Sequence, residues 1–330
     1  MKIFQSVQLK GLEQNPDGQK LALEFVRVTE AAAIAAAKWV GRGDKIRADG
    51  AAVDEMRDRF NQIDFAGRVV IGEGEKDEAP ELYNGEKVGL GKKPLIDLAV
   101  DPLECTDSVA YGRYNAMSVI AAGPRGSLFS APDTYMEKIA GGAEAAKVID
   151  LDAPVKVNIQ KTAWAQGKKV SEITVIVLDR PRHLKLIQDI RTAGARVRLI
   201  TDGDVAGAIA PSLAKSGIDL LMGVGASTEA VLAAAAIKVL GGQILTRFQP
   251  RDEKDAEKVR RAGYGTKRIY RVGDLARGNT LTFTATGVID GPLLSGVRFE
   301  KNKIITNSVV MRASSRTIRY ITTQHHGGRK

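Results

Sequence analysis

Apolar and polar positions follow two different periods along this chain. A helical period of three to four covers residues 19–40 and includes an Ala-rich stretch at 31–37. Gly41 stands where a left-handed residue closes such a helix. A second helix is predicted over 48–63, with Val53, Met56 and Phe60 on one face. Asp49 is expected in its first turn, where the helix dipole favours a carboxylate. Short apolar runs then predict strands at 69–71, at 95–100, stopping at Asp101-Pro102, and at about 116–122. The last is followed by a hairpin-like turn, Gly123-Pro124-Arg125-Gly126, and a return to about Phe129.

From Ile173 the pattern changes. Apolar runs at 173–178, 197–200 and 218–222 alternate with helical stretches at 184–193, 204–215 and 227–240, the βαβ signature of a parallel sheet covered by helices. Residues 249–261 are highly charged and read as exposed, and strand-like segments return at 282–285 and 308–321. The predicted class is α/β, with a mixed N-terminal sheet and a βαβ C-terminal half. The expected divisions are 1–150, 151–290 and 291–330, the last packing back on the fold.

Composition narrows the partners. The 330 residues carry 49 Lys+Arg against 39 Asp+Glu, a net charge of +10 that favours anionic ligands. Cys105 is the single cysteine, which excludes an internal disulfide framework and a multi-Cys zinc site. No apolar run is long enough to span a bilayer, and residues 1–20 lack the block of a signal peptide. A cytoplasmic protein without membrane partners is the expectation.

The chemistry gathers after the strands. Residues 69–71 lead into Gly72-Glu73-Gly74-Glu75-Lys76-Asp77-Glu78, and residues 95–100 into Asp101-Pro102-Leu103-Glu104-Cys105-Thr106-Asp107. Later strands lead into Asp179-Arg180-Pro181-Arg182-His183, Thr201-Asp202-Gly203-Asp204 and Gly223-Val224-Gly225. Open α/β sheets bind ligands outside the carboxyl ends of their strands. Carboxylate-rich loops suit hard cations such as Mg²⁺ or Mn²⁺, and arginines with glycine-exposed backbone suit phosphate. Thr106 and the amides after it are placed to face a phosphate. Each loop alone has a plainer reading: the 72–78 stretch as solvated surface, Asp202-Gly203-Asp204 as a helix-capping turn, Arg180-Pro181-Arg182 as a surface salt-bridge segment. Their coincidence at five strand ends points to a sugar phosphate held beside cations.

Several motifs, in this order, resemble those of the class II fructose-1,6-bisphosphatases of bacteria, which belong to the lithium-sensitive metal-dependent phosphomonoesterases. They are Val70-Ile71-Gly72-Glu73-Gly74-Glu75, Asp101-Pro102-Leu103-Glu104-x-Thr106, Ala131-Pro132-Asp133-Thr134-Tyr135-Met136-Glu137-Lys138, Arg180-Pro181-Arg182-His183 and Asp202-Gly203-Asp204-Val205-Ala206. The resemblance implies a layered α/β/α sugar-phosphatase fold and hydrolysis of the 1-phosphate of fructose-1,6-bisphosphate, in gluconeogenesis or carbon fixation. The alternatives are sedoheptulose-1,7-bisphosphate hydrolysis and a weakened sugar-phosphate-binding paralogue. It implies that Asp49, Glu73, Asp101, Glu104 and Glu229 hold Mg²⁺ or Mn²⁺. Asp77 and Thr106 would orient or deprotonate the attacking water, and Lys45 would offset phosphoryl charge. The backbone of Glu104, Cys105 and Thr106 would meet the reacting phosphate, while Tyr135, Arg180, Arg182, Asp202, Asp204 and Ala226 would line the site for the sugar and its second phosphate. A homo-oligomer, dimer or tetramer, is also implied.

Three positions depart from the pattern. Cys105 replaces a glycine, Asn84 stands where an apolar residue is usual, and Gly225-Ala226-Ser227-Thr228-Glu229-Ala230 replaces a Gly-Gly-Ala-Pro-Glu-Gly run. Cys105 reads as a small buried filler in preference to a reactive thiol, and Ser227 and Thr228 as helix caps. His183 reads as support for its loop. Beyond Glu300 the chain is basic without acidic residues, a rival signal for nucleic acid, but no aromatic platform interleaves the charges and a charge-protected strand edge explains them better. His325 and His326 look like part of a frayed terminus.

Overall fold

The computed structural model of the protein describes residues 16–72 and 82–326. Glu73 and Asp77, with the rest of the acidic 73–81 stretch, lie outside the described residues. Two long helices come first, α1 (Pro16–Ala37) and α2 (Lys45–Phe60). Asp44 caps α2 by accepting the Arg47 N–H at 3.0 Å, and Arg57 and Arg59 occupy its last turn. That start moves Asp49 out of the first turn, where it was expected. Gly41 takes the anticipated left-handed conformation (φ 73°), but beyond a short turn that follows α1.

Strands β1 (Ala66–Ile71), β2 (Lys87–Val88), β3 (Leu95–Glu104) and β4 (Ala116–Pro124) follow, with the short helix α3 (Thr106–Tyr111) between the last two. β3 runs past the expected stop at Asp101-Pro102. It does so through a bulge, its register against β4 shifting between Asp101 and Glu104. The hairpin expected after β4 does not form: the chain turns at 123–126, and Leu128 makes only an isolated bridge to Ala276. The next strand, β5 (Tyr135–Gly141), was not anticipated.

Then come α4 (Val155–Gln166), β6 (Thr174–Leu178), α5 (Leu184–Thr192), β7 (Arg196–Ile200), α6 (Asp204–Ile209), β8 (Leu220–Ala226), α7 (Ser227–Leu240) and β9 (Gln243–Phe248). β8 continues through Gly223-Val224-Gly225, the stretch read as a loop. The charged 249–261 segment contains α8 (Glu253–Arg261), which buries Val259 and Asp255. The chain closes with β10 (Tyr270–Arg271), α9 (Val272–Leu275), β11 (Thr282–Ile289), β12 (Arg298–Glu300) and the hairpin β13 (Lys303–Arg312) and β14 (Thr317–His326). His325 is therefore in a strand, its Nε2 hydrogen-bonded to Thr306 Oγ1 at 2.9 Å.

Among the described residues the strands form two mixed sheets. One runs β12-β13-β11-β4-β3-β1-β2 with β14 on β13; only β1 and β3 pair in parallel. The other runs β10-β9-β5-β8-β6-β7. Its β6, β7 and β8 make the expected parallel set, and β5 is inserted antiparallel between β8 and β9.

Hydrophobic burial fixes the layers. The apolar faces of α1 and α2 cover the outside of the first sheet, where Phe25, Phe60 and Phe65 pack edge to face and tilted. α4 and α5 cover the outside of the second. Between the sheets lies α7, every residue of 230–237 buried; its four consecutive alanines, 233–236, allow both sheets to close on one helix. The order is helix, sheet, helix, sheet, helix, and the ends of β3 and β8 meet the starts of α3, α6 and α7 near one edge of the central layer.

Candidate active site

Glu104 ends β3 and is 3% exposed. Its Oε1 accepts the Val205 N–H at 2.8 Å, while its buried Oε2 has no hydrogen-bond partner. Burial, then the charges of Asp101 and Glu229, hold its carboxyl well above the usual carboxylate range; Asp202 adds to this, and the Val205 amide opposes it. Four carboxylates from β3, the loop before α6 and the first turn of α7 therefore share one field. Mutual repulsion of this kind is relieved by a cation. The orphaned Oε2 and an all-oxygen donor set fit a hard divalent ion. Among the described residues no group of three or more His, Cys, Asp or Glu side chains is placed to hold a metal ion by itself. Mg²⁺ does not need one, because it keeps waters and takes one or two carboxylates beside substrate phosphate.

The next residue turns the chain. Cys105 sits at φ 74°, ψ 53°, in the left-handed region, as the residue before α3. It is buried, and its thiol is pushed well above its ordinary value by burial and by Glu104, Asp202, Asp101 and Glu229. A protonated filler is the result, not a reactive thiolate. Thr106 opens α3, and Lys45 reaches the same helix, its Nζ 3.5 Å from Asp107 Oδ1. Asp49 lies one turn further along α2, where burial raises its carboxyl to about 6.

The facing wall is the Asp202–Asp204 turn. Gly203 is left-handed (φ 92°), and a Cβ there would lie 1.9 Å from Asn115 Nδ2, so glycine is needed for both conformation and space. Asp202 is partly buried, and burial raises its carboxyl while Gly203 N–H and Arg180 oppose the rise. Asp204 is buried and ion-paired with Lys138 of β5, whose Nζ also lies 3.3 Å from Glu229 Oε2. Burial works against the Lys138 ammonium and the Asp204 carboxylate, but their attraction overrides it: Lys138 is raised and Asp204 lowered. Glu229 is pushed up to about 8, mainly by burial. It accepts the Ala226 N–H at 3.0 Å, so the cap of α7 is this carboxylate and not Ser227, whose hydroxyl donates to Pro132 O at 2.6 Å. A Cβ on Gly225 would lie 2.1 Å from Asp204 Oδ2, which makes that glycine a condition of the pairing.

A basic lobe adjoins. Arg182 donates from Nε and Nη2 to Val224 O at 3.1 and 2.8 Å, and its guanidinium lies 4.7 Å from the Tyr135 ring centre. Arg251 lies 5.2 Å from the same ring and is ion-paired with Asp255, whose carboxyl its hydrogen bond holds down to about 2. Buried His183 bridges Leu178 O and the Val224 N–H, both at 2.8 Å. That fixes Nδ1 as donor and Nε2 as acceptor, a neutral ring whose pKa burial lowers. His183 thus supports the loop, as read from sequence.

The sequence reading missed Lys138 and Arg251. Lys138 had one visible signal, a lysine followed by the apolar run Ile139-Ala140-Gly141. Arg251 had none, because its segment is uniformly charged.

An α/β protein with carboxylates and arginines converging at strand ends has the form of a phosphoric monoester hydrolase. A family model described as "Bacterial fructose-1,6-bisphosphatase, glpX-encoded" matches residues 19–325. The chain is 46% identical over 319 residues to the class 2 fructose-1,6-bisphosphatase of Haemophilus influenzae, covering 93% of this chain and 96% of the relative. It is 43% identical over 325 residues to the fructose-1,6-bisphosphatase 1 class 2 of Escherichia coli K12, covering 94% and 97%. The chain belongs to the bacterial, class II fructose-1,6-bisphosphatase family.

Proposed function

We propose that the protein hydrolyses the 1-phosphate of fructose-1,6-bisphosphate, releasing fructose-6-phosphate and phosphate. The observation that carries this is the buried, partnerless Oε2 of Glu104 among Asp101, Glu229 and Asp202. A buried carboxylate in that state is stable once a cation neutralises it. Asp101, Glu104 and Glu229, with Asp49 and with Glu73 from outside the described residues, would hold Mg²⁺ or Mn²⁺. Bound there, the ion supplies charge neutralisation of the phosphoryl oxygens and a more acidic water.

The chain's own groups do the rest. The amides following Glu104 and the Thr106 hydroxyl bind the reacting phosphate, and Lys45, 3.5 Å from Asp107 of α3, offsets its charge. Thr106, with Asp77 from outside the described residues, orients the attacking water. Tyr135, Arg180 and Arg182 bind the second phosphate, Arg182 with its planar fork already oriented by Val224 O. Asp202 accepts from a sugar hydroxyl, while Asp204, paired with Lys138, holds the turn that presents it.

The test is phosphate release from fructose-1,6-bisphosphate across Mg²⁺ and Mn²⁺, with sedoheptulose-1,7-bisphosphate in parallel and Glu104→Gln as control. Metal-dependent release from the fructose ester, lost in the variant, supports the reading. No release from it while calorimetry shows bound metal refutes it.

A further inference from the structure

A second cavity, of about 370 Å³, lies behind the catalytic turn. Its floor is apolar: Ile176 of β6, Ile200 of β7, Ile218, and Gly207 of α6, where a Cβ would come within 3.1 Å of Ile200 Cδ1. Its rim carries Arg113, Arg198 and the 64%-exposed Tyr114. Neither arginine forms an ion pair among the described residues; Arg113 lies over the Tyr111 ring, centre at 4.9 Å. The one carboxylate in the lining, Asp202, has its Oδ1 bonded to its neighbour's N–H (3.2 Å) and lies in the field of Arg180.

The back wall is shared with the catalytic loops. Asn115, left-handed at φ 71°, fills the space beside Gly203, and its Nδ2 lies 3.9 Å from Cys105 Sγ. The floor and rim belong to none of the groups assigned to catalysis.

The geometry points to a binding site for a small amphipathic organic anion: an apolar, planar body seated on the isoleucine floor and Tyr114, with a phosphate, sulfonate or carboxylate head at Arg113 and Arg198. The size fits one such molecule, small-molecule cavities being a few hundred Å³. Two cations without carboxylate partners select the charge of the head, and the floor rejects a bare inorganic anion, which has nothing to bury there.

The probe is 8-anilinonaphthalene-1-sulfonate, titrated by fluorescence into the full chain with chelator present. Arg198→Glu reverses the rim charge and Ser216→Trp fills the cavity; neither residue belongs to the catalytic machinery. The expected result is one probe per chain, with affinity falling about tenfold or more in each variant, the loss of one desolvated charge pair or of the space itself. Circular dichroism and phosphate release without probe should match the parent. Millimolar sulfate should leave the probe in place. Equal affinity in parent and both variants overturns the proposal. So does displacement of the probe by fructose-1,6-bisphosphate with no dependence on Arg198, which puts the probe in the catalytic cleft. A drop in sedimenting mass in both variants also overturns it, because the cavity is then an interface between copies of the chain.

Discussion

The backbone N–H of Val205 donates to Glu104 Oε1 at 2.8 Å across 101 positions of sequence. One carboxylate oxygen of the site is therefore spent on joining the end of β3 to the start of α6, and the other is left buried without a partner. Under the proposed function the same residue would be both brace and metal ligand, and the two roles respond differently to substitution.

Glu104→Gln keeps an oxygen able to accept from Val205 and removes the charge. Phosphate release should fall by about 10²-fold or more, a typical cost of losing one group that stabilises transition-state charge. In chelator the variant should melt no lower than the parent, since repulsion with Asp101 and Glu229 is relieved. Excess Mg²⁺ should raise the melting temperature of the parent and leave the variant nearly unmoved. Identical parent curves with metal and with chelator would contradict the cation site.

Among the described residues Lys138 is the cation ion-paired with both buried Asp204 and half-buried Glu229. Lys138→Met leaves Asp204 and Glu229 uncompensated and should cost about 3–5 kcal/mol in urea unfolding. Combining it with Asp204→Asn and Glu229→Gln should recover much of that loss. A loss of under about 1 kcal/mol in the single variant would mean the triad does not hold the two carboxylates in place.

His183 supplies a pH dependence. Its folded value lies below its ordinary 6.5, because the neutral ring is buried between Leu178 O and the Val224 N–H. Below that ordinary value the unfolded chain binds the proton first, so the contribution is complete above about pH 6.5 and is lost as pH falls through the depressed value. The urea midpoint of the parent should drop over that acidic range relative to His183→Gln. Parallel curves would remove His183 from this role.

Cys105 occupies a left-handed position, so Cys105→Gly should relieve backbone strain as it forfeits a small buried side chain, a net change within about 1 kcal/mol. Cys105→Val should lose more, because a β-branched residue is poorly tolerated at positive φ. A thiol reagent should modify the folded protein far more slowly than the urea-unfolded chain. Fast labelling of the native enzyme would show that the thiol is neither buried nor held protonated.

Much of this was legible in the chain, and the illegible part has a common cause. Helices announced themselves through periodicity, and α5, α7, β6 and β7 fall within a few residues of their expected bounds. The carboxylates at 101, 104 and 229 could be picked out as strand-end chemistry joined to a family likeness. β5 could not. Its Glu137 and Lys138 look like solvent-facing charges, and nothing local reveals that Lys138 finds carboxylates 66 and 91 positions later. The bulge that carries β3 to Glu104 is equally a product of pairing with β4 and not of its own residues. Gly223 and Gly225 suggested a loop, although they belong to a strand whose glycine at 225 makes room for Asp204.

The insertion of β5 between β8 and β9 also governs how the molecule comes into being. Both neighbours of this strand, and both counter-ions of its lysine, lie far downstream. A nascent chain emerging from the ribosome must carry Tyr135–Gly141 as an open edge until α7 and β9 have been made. Non-local pairing of this kind is slow and leaves sticky intermediates. Assembly of the central layer is then the late, committing event of biosynthesis, and the carboxylates of the candidate site are drawn together only when it is complete.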